Sequence, residues 1–180
     1  VAVGRCSMYA NTTGTFNVAM GSYSLDSNTT GACNVAIGYL ALCSNTTGSY
    51  NTALGYEALK TTTVYDYNTG VGYCAGALLN GGNANVALGS FALCTATTGS
   101  NNTALGHLAL EENTTASDNT AVGNQTLEAN TTGEGNTGVG KEALTFNTTG
   151  GLNTAVGANT LKFNTTGQQN SAFGVNSMES

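Results

Sequence analysis

The stretch "NTTGSYNTALGYEALK", residues 45–60, decides the fold, because residues 28–43 read "NTTGACNVAIGYLALC", nearly the same sentence 17 residues earlier. Working outward in both directions, Asn stands at 17, 34, 51, 68, 85, 102, 119, 136, 153 and 170, and a Gly follows each four residues later, from Gly21 to Gly174. Gly4 keeps the same phase. The unit is N-[TV]-A-[VLI]-G-x-x-A-L-x-x-N-T-T-G-x-x, and its 17 positions are numbered below from this first Asn.

A period this short is well below the roughly 33 residues that paired-helix repeats need. No apolar stripe of helical period runs through it. The segments are short, partly β-branched, and bounded by Gly and by Asn-Thr turns, which is strand patterning. A repeat of constant length then makes each unit one coil of a winding chain. The fold predicted is all-β, a parallel β-solenoid (β-roll) of eleven 17-residue coils, forming a single repeat array over 1–180. At about 4.8 Å per coil the rod is roughly 50 Å long. The pattern runs through both ends, so the chain is expected to be a segment of a longer fibre.

Composition narrows the function. Only 8% of residues are charged, the net charge is −6, and Arg5, Lys60, Lys141 and Lys162 are the only basic side chains. A surface for nucleic acid needs clustered Lys and Arg. No apolar run approaches the 18 or so residues of a membrane span. With 40% apolar residues and no Pro, the chain is not patterned for disorder. Glu and Lys would repel in a column of identical neighbours, whereas Asn and Thr do not, which accounts for the low charge.

Enzyme chemistry has little to work with, and no enzyme activity and no cofactor are expected. His107 is the only His and lacks a nucleophile in its column. Glu111 and Glu112 are neighbours without a supporting second column of acids. No Cys-x-x-Cys occurs, and no metal-ligand spacing. Of Cys6, Cys33, Cys43, Cys74 and Cys94, the pairs that share a column (Cys43 with Cys94, Cys6 with Cys74) lie three and four coils apart, too far to pair. Cys33 with Cys43 or Cys74 with Cys94 differ in column, so mostly free thiols are expected, with at most one local or interchain bridge.

The columns have separate tasks. Strand side chains alternate, so positions 2 and 4 (Val18 and Met20, Val35 and Ile37) share a face. That face is assigned to the core, together with the position-9 leucines from Leu25 to Leu161. Position 3 then faces outward: Ala19, Ala36, Ala53, Ala87, Ala104, Ala121 and Ala155 form a row of small residues suited to chain–chain packing. Position-1 Asn side chains can stack amide on amide from coil to coil. The unit at 68–84, "NTGVGYCAGALLNGGNA", reads as having its Ala-Leu pair displaced by two, to Ala77 and Leu78.

The motifs "NVAIG" (34–38), "NVALG" (85–89) and "NTAVG" (119–123 and 153–157) resemble the repeats of trimeric autotransporter adhesin heads. They are equally similar to the NTAxGxxAL repeats of trimeric phage tail-fibre proteins. The resemblance covers the whole chain. It implies a parallel β-roll, left-handed in the adhesin heads, with three chains side by side in an elongated extracellular, cell-surface or virion fibre. It also implies Val35 and Ile37 in the core and Ala36 towards the neighbouring chain.

Two surface features bear on partners. Sequons at Asn11, Asn28, Asn45, Asn113, Asn130, Asn147 and Asn164 all fall on one turn, making them candidate N-glycan acceptors. Tyr39, Tyr56 and Tyr73 share a column, either as an aromatic ladder for cell-surface glycans or as a stabilising stack; Tyr50 and Tyr67 form a second, shorter column. The leading expectation is a structural fibre or adhesin-type shaft whose main partner is itself, as a trimer or filament. The alternative is an ice-binding solenoid using Thr ladders, against which adjacent Thr12 and Thr13 would point to opposite sides.

Overall fold

The computed structural model describes residues 1–178. Eleven short strands occur in them: β1 (Ala2–Val3), β2 (Val18–Met20), β3 (Val35–Ile37), β4 (Thr52–Leu54), β5 (Thr69–Val71), β6 (Val86–Leu88), β7 (Thr103–Leu105), β8 (Thr120–Val122), β9 (Thr137–Val139), β10 (Thr154–Val156) and β11 (Ser171–Phe173). They form one parallel sheet in sequence order. Each pair is in register at 17 residues, as in Ala36↔Ala53 and Ile37↔Leu54. The chain is therefore a β-solenoid, and no helix occurs among the described residues.

Three strand residues per coil leave fourteen to make the return path, which turns by backbone conformations that L-residues seldom adopt. Position-5 glycines lie at φ near +135°, for example Gly21 at 132° and Gly55 at 137°. The requirement is steric as well as conformational: a Cβ on Gly21 would sit 2.5 Å from the carbonyl oxygen of Gly38. Positions 7, 9 and 17 are left-handed and, except at Gly76 and Gly135, are not glycine, as at Tyr23 (φ 59°), Leu25 (51°) and Cys33 (59°). Each such residue carries a penalty of about 1–2 kcal/mol. The gain is that successive N–H groups point alternately along the rod. Gly21 N–H donates to Val3 O in the preceding coil (2.8 Å), while Leu25 N–H donates to Ala41 O in the next (3.0 Å). The return path is thus hydrogen-bonded to both neighbours although little of it is strand.

The assignment of faces is the reverse of the expected one. Ala19, Ala36, Ala53, Ala104, Ala121 and Ala155 are 0% exposed and Ala87 is 1% exposed: position 3 points into the coil. Positions 2 and 4 point out, with Met20 43% and Leu54 43% exposed, so Val35 and Ile37 are not core residues and the alanine row cannot pack against another chain. The cross-section decides this. Position-9 Leu and position-8 Ala reach across from the opposite wall and fill a narrow interior, with Leu25, Leu42, Leu93 and Leu110 all 0% exposed. Space for the facing residue is so limited that even a Cβ on Gly70 would lie 2.8 Å from Leu59 Cγ. Two Val or Leu side chains per coil would not fit there.

Two columns of Asn complete the interior. Asn34 N–H donates to Asn17 Oδ1 (2.8 Å), Asn51 N–H to Asn34 Oδ1 (2.9 Å), and the series continues to Asn170 N–H on Asn153 Oδ1 (3.0 Å). From Asn17 to Asn153 each Nδ2 donates to a position-15 carbonyl across the coil, as Asn17 to Gly31 O (2.7 Å). A second ladder runs through position 12: Asn28 Nδ2 donates to Asn11 Oδ1 (2.7 Å) and Asn45 Nδ2 to Asn28 Oδ1 (2.7 Å). It stops where position 12 becomes Thr62, Leu79 and Ala96, then runs again from Asn113 to Asn164. Thr62 Oγ1 donates to Leu79 O instead (2.8 Å), which leaves Asn45 Oδ1 buried with no partner at the break.

The 68–84 coil keeps its register column by column. Ala75 holds position 8 and is fully buried, Gly76 takes the position-9 site at φ 61°, and Leu79 fills the position-12 slot at 1% exposure. Leu78 is 48% exposed, so no displaced Ala77–Leu78 pair exists; the Leu moved to the other interior column.

Candidate functional site

The outer face of the sheet is a uniform surface that runs the length of the rod. Position 4 carries an aliphatic or aromatic residue in every coil, from Val3 through Leu54 and Leu88 to Phe173, exposed by 54%, 43%, 46% and 68%. Position 2 carries Val in three of the three-residue strands (β2, β3 and β6), Ser in β11 and Thr in the rest. Neither column contains a charge. Their flatness follows from the pairing, since equivalent side chains face each other across every strand pair, as Val18 faces Val35 and Thr120 faces Thr137. The parity of the strand held the signal for this face: position 1 and position 3 must share a side, so a buried Asn ladder requires a buried Ala row.

The candidate glycan acceptors lie inside. Asn28, Asn45, Asn113, Asn130 and Asn147 are 0% exposed, and Asn11 and Asn164 are half-buried at the ends of the ladder. Asn28 Nδ2, the atom an N-glycan would bond, donates to both Asn11 Oδ1 and Gly31 O. Asn11 Nδ2 donates to Gly14 O (3.0 Å), and Asn164 Nδ2 to Asn147 Oδ1 (2.8 Å). The Asn of Asn-Thr-Thr-Gly serves the interior in the folded rod, where its amide is engaged rather than presented to solvent.

The tyrosine column forms as expected. Tyr39 and Tyr56 stack with centroids 5.4 Å apart, and Tyr56 and Tyr73 at 5.2 Å with planes 10° apart. Tyr23 and Phe91 close its ends edge-on. Coplanar rings lying side by side could not approach this closely, so the rings face one another along the rod. A sugar needs an open ring face, and here those faces are covered; the ladder is built as a stabilising stack. Tyr50 and Tyr67 form the second stack, at 5.1 Å and 3°. A third, Phe146 on Phe163 at 5.3 Å, was legible from their 17-residue offset but was not foreseen.

Titratable groups are scattered. All five Cys are free and half-buried. Burial and then the nearby Cys74 push the Cys94 thiol up to about 11, the reverse of what a nucleophile needs. His107 is exposed beside Asn124 Nδ2 (3.2 Å from its Nδ1). A second acid does stack on Glu111: Glu128 occupies the same column one coil on, and burial, then Glu128 and Glu112, raise the Glu111 carboxyl. The adjoining groove, about 290 Å³, is lined by Glu112, Gln125, Glu128, Glu142, Phe146 and Lys162 among others. Two of its three carboxylates are engaged: Gln125 Nε2 donates to Glu128 (2.9 Å), and Lys162 and Lys141 bond Glu142, holding that carboxyl down at about 2. No cluster of His, Cys, Asp or Glu suited to a metal ion occurs among the described residues.

The Thr turn is asymmetric. Position-13 hydroxyls donate to the next coil, as Thr12 to Thr29 O (2.9 Å) and Thr29 to Thr46 O (3.0 Å). Position 14, as at Thr13, Thr30 and Thr47, stays exposed as a single row. Comparison of the chain with protein-family models, curated proteins and solved structures finds no match.

Proposed function

We propose that the chain is a structural rod of an extracellular fibre, an adhesin-type or tail-fibre-type shaft, which associates side by side with copies of itself through the outer face of its sheet. The observation that carries this reading is the uncharged double column at positions 2 and 4, continuous from β1 to β11. A stripe about 50 Å long and about 10 Å wide covers on the order of 500 Å² on each copy. Two such stripes bury on the order of 1,000 Å², the lower bound for a specific interface. The stripe grows with every added coil, so a longer array would be held more firmly. Its side chains repeat at the strand spacing, and another rod of the same pitch is the partner whose ridges match it along the whole length. The fibre expectation is kept, but the contact passes from the alanine row to the columns flanking it.

The test is the mass of the assembly by sedimentation, before and after Leu54→Lys and Leu88→Lys. Both side chains are about half exposed, so the substitutions leave the coil intact. The expected result is an oligomer that dissociates to monomers with unchanged circular dichroism. A wild-type chain that stays monomeric at tens of micromolar refutes the reading.

One observation favours a second function for the same face. Thr52, Thr69, Thr103, Thr120, Thr137 and Thr154 lie in its flat position-2 column beside the aliphatic one, a better-ordered array than the single Thr row of the turn. Ice binding by a monomeric rod would give thermal hysteresis that Thr120→Lys abolishes. Absence of hysteresis removes this alternative.

A further inference from the structure

The two tyrosine stacks carry a chemistry that a rod does not require. Tyr50 and Tyr67 lie one coil apart with ring centroids 5.1 Å apart and planes within 3°, and they are 54% and 59% exposed. Tyr56 and Tyr73 repeat the arrangement at 5.2 Å and 10°. We infer that these pairs are sites of oxidative cross-linking, in which a one-electron oxidant of the peroxidase and hydrogen peroxide class joins successive coils through a dityrosine bond.

The geometry matches the reaction. Loss of one electron and one proton from each phenol leaves two phenoxyl radicals, whose unpaired spin is shared between the oxygen and the ring carbons ortho to it. Hydrogen peroxide takes up those two electrons and two protons and becomes two waters. When an ortho Cε of Tyr50 joins an ortho Cε of Tyr67, both carbons turn tetrahedral, so the new bond forms perpendicular to each ring plane. That is the direction in which the stacked faces meet. Each Cε then releases its hydrogen as a proton while each phenol oxygen regains one, so the net change is one carbon–carbon bond made and two hydrogens lost. The backbone already holds the partners together: Tyr67 N–H donates to Ser49 O, beside Tyr50 (3.2 Å), so coupling requires no search through solution. The exposed ring edges admit the oxidant. The Phe146–Phe163 stack has the same geometry without phenol oxygens and serves as an internal inert control.

Thiols near the stacks compete, because a thiol returns an electron to a tyrosyl radical. Cys33 occupies the position of Tyr50 one coil earlier, and Cys74 follows Tyr73. The experiment therefore uses the full chain with its thiols capped by iodoacetamide, in an equal mixture of isotopically light and heavy protein, treated with a haem peroxidase and hydrogen peroxide. The expected product is a peptide pair joining Tyr50 to Tyr67, lighter by two hydrogens, of a single isotopic label, with blue dityrosine fluorescence. Its initial yield should exceed that from the urea-unfolded chain by about tenfold or more. Tyr67→Phe keeps a ring in the stack but cannot form a phenoxyl; it should remove this bridge and leave Tyr56–Tyr73. Bridges found only between light and heavy chains, a yield no higher in the folded than in the unfolded protein, or an unchanged pattern of bridges in Tyr67→Phe would each overturn the assignment.

Discussion

Asn101 and Asn102 are neighbours of identical composition with opposite surroundings, and replacing each isolates what the interior amide ladder contributes. Asn102 is fully buried. Its Oδ1 accepts the Asn119 main-chain N–H (3.1 Å), and its Nδ2 donates to Ala116 O (2.9 Å) and towards Asn85 Oδ1 (3.2 Å). Asn102→Ala strips the Asn119 N–H of its partner in a space closed to water, while Ala116 O keeps its bond from Asn113 Nδ2 (3.0 Å). A buried polar group without a partner costs about 1–3 kcal/mol, so the substitution, which orphans one, should cost about 1–3 kcal/mol. Asn101 is exposed, in the left-handed region at φ 59°, and its Nδ2 donates only to Asp118 Oδ1 (3.0 Å). Asn101→Gly suits that conformation, as Gly135 does two coils later at φ 68°, and should change stability by about 0.5 kcal/mol or less. Because each coil touches only its neighbours, the damage is local. Amide exchange at Asn119 should accelerate by about 5-fold to 150-fold in Asn102→Ala. Urea unfolding followed by circular dichroism gives the global figure. Equal effects of the two substitutions would refute the view that the ladder stabilises the rod.

Three further outcomes follow from the same geometry. Ala104→Val places extra methyls in a filled interior and should destabilise by about 1–3 kcal/mol in urea titration, whereas Thr103→Val, one residue away on the outer face, should be near neutral; the reverse order would restore the opposite assignment of faces. Leu110→Ala should lose about 2–5 kcal/mol, and Leu105→Ala, on the outer face, less than about 1 kcal/mol, measured by thermal and urea midpoints. Glu142 is held at about 2 by Lys162 and Lys141, below its ordinary range, so its contribution to stability is present above about pH 4.5 and disappears as pH falls through about 2; Glu142→Gln should lack that part of the acid dependence, and an identical acid profile in the variant would contradict the ion triad.

The 17-residue spacing of Asn and Gly was enough to read the solenoid, its register and its Leu column, because a parallel stack places like on like and any slip would show as a broken series. The stacked tyrosines were legible for the same reason. The facing of the strand was not read from Val-Ala-Ile, since alternation says only that the outer two residues share a side. Hydrophobicity favoured the wrong side. The width of the interior decides, and that width is set by Leu42 and Ala41 reaching over from the far wall. The left-handed leucines carry no local mark, because nothing in Leu prefers positive φ; tertiary hydrogen bonding imposes it at Leu25 and Leu59 alike. Asn28 and Asn45 read as turn residues and sequons, and only the fit of their amides to Gly31 and Gly48 carbonyls shows them as interior. The outer face, as an interaction surface, was hidden by the same inversion.

The uninterrupted register makes length a free variable of this molecule. Removing residues 68–84 would bring Asn85 onto Asn51 and Ala87 onto Ala53, surfaces that already fit, so the shortened rod should close without a seam. Excising sixteen residues or eighteen would instead set every later side chain one place round the circumference. A gene that gains or loses whole units can therefore tune how far the rod reaches while leaving its cross-section untouched.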